Sequence, residues 1–129
     1  MEADKSLELA IEEIKARIPD AWGKYISCDK GWYQLIVELD KDLTYLIPGY
    51  EVQQIKQKFG TLRYYIGYDD QKSSQEKILI ARKLIEYAEY KSSITCECCG
   101  TSSLDVRARV GGWVKTLCNS CDEKRERQI

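Results

Sequence analysis

Apolar residues recur along the chain at two different spacings. Between residues 5 and 18, Leu7, Ala10, Ile11, Ile14 and Ile18 return at intervals of three and four, while Glu8, Glu12, Glu13 and Lys15 fill the other side. That is the period of a helix with one buried stripe, and Pro19 predicts its end. A connection over 20–31 follows, containing Trp22, Cys28 and Gly31. A second stripe of Trp32, Leu35, Ile36, Leu39, Leu43 and Leu46 predicts a helix from Trp32 to about Leu46, with Glu38, Asp40, Lys41 and Asp42 toward water. Pro48-Gly49 punctuates it.

The period then shortens to two, and residues 50–68 read as a β-hairpin. Gly60-Thr61 is the expected two-residue loop, because Gly in first place suits a type II′ turn. That loop would set Phe59 opposite Leu62, Lys58 opposite Arg63, Gln57 opposite Tyr64 and Lys56 opposite Tyr65. Alternation then puts Ile55, Gln57, Phe59, Leu62, Tyr64 and Ile66 on one face and Gln54, Lys56, Lys58, Arg63 and Tyr65 on the other. A third helix is expected over 74–91. Ser73 and Glu76 would form its capping box, and Ile78, Ala81, Ile85 and Ala88 its buried face, with Leu84 at the margin. Ser92-Ser93 breaks to a cysteine-rich tail.

The tail changes the picture most. With Cys96 and Cys99 as one pair and Cys118 and Cys121 as the other, the spacing is C-x2-C-x18-C-x2-C. Two residues between cysteines turn both sulfurs toward one point, and Gly100 relieves the bend after the second. Two such knuckles supply four thiolates, the usual structural zinc set. Cys98 can replace Cys99, although C-x-C pinches the chelate and makes Cys98 the expected bystander. Thiolates also hold iron, but nothing else in the chain points to electron transfer. A four-thiolate site leaves no open position, so the expected Zn²⁺ is structural rather than catalytic.

The 129 residues include no histidine. This excludes a Ser-His-Asp triad, a Cys-His pair, an HExxH protease and imidazole acid-base chemistry. Twenty Lys and Arg stand against 21 Asp and Glu, a formal charge of -1, and four thiolates with one Zn²⁺ would take it to about -3. A generally basic nucleic-acid binder is thereby disfavoured. The tail itself, residues 96–129, holds six basic and five acidic side chains. The acidic start, MEADKSLELA, lacks the pattern of a signal peptide, and no apolar run is long enough to span a bilayer. A cytoplasmic protein with reduced thiols is expected. Nine Tyr and three Trp suit a small core and an interface alike.

Other residues also carry candidate chemistry. Lys56, Lys58 and Arg63 around Tyr65 can meet phosphate, a stacked base or an acidic partner, or simply solvate a strand face. Arg107, Arg109 and Lys115 can line an edge of the tail. Cys28, beside Lys30, lacks a base and reads as core filler. Glu38 and Asp42 share a helix face, while Asp40 points elsewhere. Trp22, Trp32 and Trp113 each adjoin a glycine, with Trp113 expected to pack the tail onto the body.

Three segments together resemble a known group. They are Gly31-Trp32 opening a helix, the stretch QIKQKFGTLRYY over 54–65, and Cys96…Cys99-Gly100…Gly112-Trp113…Thr116-Leu117-Cys118…Cys121. They are similar to small bacterial and phage proteins with a QIKxKFGxLRxY-like hairpin before a zinc-binding tail. The likeness spans about residues 28–121. In that group the last ligand is often histidine, where this chain has Cys121. The resemblance implies an accessory protein of mobile or conflict-related loci and carries no activity with it.

The expected fold is therefore α+β, with a body over 1–93 and a four-cysteine zinc ribbon over 94–129 packed on it. The expected role is non-enzymatic: binding a protein partner, as an inhibitor or immunity-type factor. The alternative is an accessory nucleic-acid binder using the cationic hairpin and the ribbon. No membrane association is expected.

Overall fold

The computed structural model describes residues 2–125, with side chains from Lys5 onward. The chain folds as α1 (Glu2–Ala16), β1 (Ile26–Ser27), α2 (Tyr33–Leu46), β2 (Glu51–Lys58), β3 (Thr61–Gly67), α3 (Gln75–Ser92), β4 (Arg107–Arg109), β5 (Lys115–Leu117) and α4 (Asn119–Lys124). The mixed helix and strand class matches the sequence expectation.

Helix α1 ends at Ala16 rather than 18, because a residue before proline disfavours the helical region. The chain leaves through two tighter bonds, Arg17 N to Ile14 O and Ile18 N to Lys15 O. Helix α2 packs against both α1 and α3. It therefore buries more than the expected stripe: Val37 joins Leu35, Ile36, Leu39 and Leu43. Ser74, not Ser73, caps α3, accepting from Lys77 N at 3.2 Å.

The hairpin register differs from expectation. Lys58 pairs with Thr61, Gln57 with Leu62, Lys56 with Arg63 and Ile55 with Tyr64. The loop is Phe59-Gly60, with φ of 54° and 84°, a type I′ turn that needs two positive angles. Gly60 holds the second turn position, not the first. Each partner moves by two residues, so the two faces stay as expected apart from Phe59. That ring sits in the turn, 75 % exposed. A bulge between Val52 and Gln54 rotates Val52 onto the face of Ile55. Strand β1, absent from the sequence reading, adds a parallel edge: Ile26 pairs with Ile55 and Ser27 with Lys56.

One core joins Ile11, Ile14 and Ile18 of the first helical segment to Trp32, Ile36 and Leu43, to Val52, Ile55, Leu62 and Tyr64 of the sheet, and to Ile78, Ala81 and Ala88 of α3. A polar chain pins the same elements. Arg17 donates two bonds to the Asp40 carboxylate at 3.0 and 2.9 Å. Tyr50 donates its hydroxyl to Asp40 at 2.5 Å, and the Tyr64 hydroxyl lies 2.5 Å from that of Tyr50.

The cysteine-bearing segment docks through its backbone. Gly31 N donates to Glu97 O at 2.7 Å, and Glu97 N to Thr116 O at 2.9 Å. Trp32 Nε1 donates to Thr95 O at 2.9 Å, and Thr116 Oγ1 to Gly60 O at 2.6 Å. A Cβ on Gly31 would lie 2.3 Å from the carbonyl oxygens of Cys96 and Glu97, so only glycine permits this approach. The buried Trp32 joins the two parts. Trp113, expected in that role, is 78 % exposed. It follows two glycines in an open loop, uncovered among the described residues.

Candidate metal centre and the groove beside it

The Sγ atoms of Cys96, Cys99, Cys118 and Cys121 all lie within 4.8 Å of one another, and those of Cys99 and Cys118 are 3.9 Å apart. Metal–sulfur bonds of about 2.3 Å from a tetrahedral centre set sulfurs about 3.8 Å apart. The four side chains thus fit one metal ion. No cysteine among them forms a disulfide.

Local structure builds each half. In the first knuckle Gly100, at φ 84°, donates its N–H to Cys96 O at 2.9 Å. In the second, Cys118 caps α4, its sulfur accepting from Cys121 N at 3.4 Å. The antiparallel pair β4–β5 connects them, with Arg107 opposite Leu117 and Arg109 opposite Lys115. Leu117 is buried with Cys96 and Cys118, and Val106 packs against them.

The thiols compete for charge. Burial opposes the Cys96 thiolate, but backbone N–H groups of Cys99, Cys118 and Cys98 outweigh it and bring the thiol down to about 7. Burial and the neighbouring thiols hold Cys121 well above its ordinary value. A cation at the centre relieves this crowding by taking all four as thiolates. Cys98 is exposed and lies outside the four. Cys28 packs at the edge of the body core, where burial lifts its thiol to about 12. A thiol so raised favours its protonated form.

The three tail cations have separate fates. Arg109 is a buried strut: Nε donates to Leu117 O at 3.2 Å, and Nη2 to Asp105 O at 2.8 Å and Asn119 Oδ1 at 2.7 Å. It does not line an outer edge as envisaged. Lys115 bonds Asp29 at 2.7 Å, which raises its affinity for its proton. Arg107 is exposed.

The hairpin group is brought together in part. Lys56 lies opposite Arg63, and its Nζ stands 5.8 Å from the Tyr65 ring. Arg63 is paired with Glu89 at 3.0 Å. Lys58 points away to the tip, over Phe59 at 5.9 Å. Glu38 accepts a bond from Gln34 at 2.9 Å and gathers no metal-binding neighbours among the described residues.

Two features had no sequence signal. Glu97 is 2 % exposed; its Oε2 accepts from Asp29 N at 3.0 Å, while Oε1 has no hydrogen-bond partner among the described residues. Burial raises its carboxyl above the ordinary range. Beside it runs a groove of about 660 Å³, lined by Trp113, Lys115, Leu117, Cys98, Cys121 and Arg125 among others. Arg125 steadies the rim by donating to Trp113 O and, at 3.4 Å, to Arg109 O.

No family model matches this chain, and no curated protein or solved structure matches it either. Among the described residues no helix is long and apolar enough to cross a membrane.

Proposed function

We propose that the protein is a non-catalytic protein-binding module, of the inhibitor or immunity type, built around a structural zinc ribbon. The observation that carries the reading is the placement of Trp113. A tryptophan 78 % exposed in the lining of the groove at Cys121 leaves a large apolar surface uncovered among the described residues. Interface centres favour this chemistry: an aromatic anchor, an apolar floor and a polar rim. Leu117, Cys98 and Cys121 supply the less polar part of the lining, and Lys115, Lys124 and Arg125 the charged part. Four cysteine thiolates at tetrahedral spacing suit zinc and iron alike, and zinc is the proposed ion because nothing else in the chain points to electron transfer.

Three of the cations that the nucleic-acid alternative draws on are already engaged. Arg63 is paired with Glu89, Arg109 serves the interior, and Lys115 is paired with Asp29. A four-thiolate zinc centre adds two negative charges beside the groove, which works against a phosphate chain.

Affinity capture with the zinc-loaded protein tests the reading. The expected result is one protein retained at moderate salt and lost on Trp113→Ala. Retention by Trp113→Ala at wild-type level overturns the assignment of the groove. Recovery of nucleic acid alone, lost steeply with salt, overturns the protein-binding reading. Elemental analysis giving one zinc per chain, abolished in Cys118→Ser, checks the metal.

A further inference from the structure

Helix α3 buries only one side. Ile78, Ala81 and Ala88 face the core. On the opposite side Leu79, Ile80, Tyr87 and Tyr90 are all strongly exposed, and Ile94 continues the line just past the helix end, each at least 42 % exposed. Spacings of seven and three place Ile80, Tyr87 and Tyr90 along one stripe, with Leu79 at its edge. Tyr87 and Tyr90 stack with ring centroids 6.4 Å apart, and Lys91 Nζ lies 5.5 Å from the Tyr87 ring. An apolar stripe of this kind, interrupted by Lys83 between Ile80 and Tyr87, marks a contact surface rather than scattered surface residues.

Charges along the stripe are ordered. Glu76 stands at the N-terminal end and Lys91 at the C-terminal end. We infer that this face pairs with the same face of a second copy, the two α3 helices running antiparallel about a twofold axis. Reversal brings the acidic end of one helix to the basic end of the other. The register that sets Glu76 opposite Lys91 of the second copy also sets Ile80 opposite Tyr87 of that copy. Both pairings then occur twice, as a twofold interface requires. Antiparallel helix dipoles favour the same orientation. Lys83, near the axis, meets Lys83 of the second copy there and lies within one turn of that copy's Glu86, whose charge offsets the repulsion.

The size of the face sets the strength. Eighteen residues make a helix about 27 Å long. One helix face falls short of the roughly 800 Å² per partner of a standard interface. The dimer is therefore weak, with dissociation on the order of tens of micromolar. It is independent of the groove at Trp113, which belongs to the other part of the molecule.

Analytical ultracentrifugation of the zinc-loaded full chain, from about 5 to about 500 µM, spans that range. The expected mass rises from one chain to two. Tyr87→Asp keeps it at one chain throughout, with an unchanged circular dichroism spectrum showing that the fold persists. Glu76→Lys sets lysine against Lys91 twice and also gives a monomer. Adding Lys91→Glu to Glu76→Lys restores the attraction with the signs exchanged, and the dimer returns. A chain that stays monomeric to the top of the range overturns the inference and leaves the face to a different protein. A dimer that survives Tyr87→Asp, or a double variant that stays monomeric, overturns it as well.

Discussion

At the scale of single residues, the polar chain from Arg17 through Asp40 to Tyr50 and Tyr64 shows how little of a buried site is local. Each member sits on a different segment and is unremarkable in sequence. Together they satisfy one another inside the body. Burial raises Tyr64 well above its ordinary value of 10.0, and burial and then the bond to Asp40 raise Tyr50. Below pH 10 both tyrosines are protonated in the folded and unfolded states, and their contribution is whole. Above it the unfolded chain ionises first, so stability falls as pH rises. Absorbance at 295 nm should show two tyrosines that titrate only as the protein unfolds, and Tyr64→Phe should remove one of them. The cysteine ligands were legible because their chemistry repeats at a fixed short spacing. Trp113 was not, because exposure depends on what fails to cover a residue.

At the scale of elements, helical period located α1, α2 and α3 with small errors at their ends. Ends depend on single bonds, such as Ser74 to Lys77, that the period does not carry. The hairpin was legible as a hairpin, and both faces were sorted. Its register slipped because Phe59 takes a positive φ that a bulky side chain disfavours. Phe59→Asn should therefore stabilise the protein by about 1 kcal/mol, read as a raised urea midpoint with unchanged slope. Gly31 makes the opposite case. A methyl there meets two backbone carbonyls at 2.3 Å, neither able to yield like a side chain. Gly31→Ala should lose at least about 2 kcal/mol in the same measurement.

At the scale of the whole molecule, two parts of unequal independence are joined. The body has a continuous apolar core. Among the described residues, the apolar cluster of the cysteine unit is Cys96, Leu117 and Cys118, with Val106 and Cys121 against them. So small a cluster cannot offset the entropy of ordering about thirty residues. A metal ion held by the four cysteines would supply the difference. Treatment with a chelator, or Cys118→Ser, should abolish hydrogen-exchange protection at the amides of Cys96, Glu97 and Gly31. Protection within α2 should persist. Trp32 emission should shift to the red, since its indole N–H bonds the backbone of Thr95 in the departing segment. Loss of protection throughout α2 would show instead that the two parts fold as one.

By itself the sequence determined the helical stripes, the sorting of the hairpin faces, the four-cysteine set and the exclusion of histidine chemistry. Each is written in spacing or composition over a few neighbouring residues. Tertiary structure alone decided that Trp32 rather than Trp113 joins the two parts, that Arg63 and Arg109 are engaged, and that one side of α3 stays bare. Those outcomes depend on which surfaces meet between segments far apart in the chain. Alternation and period specify the faces of an element, while packing selects the partner each face receives.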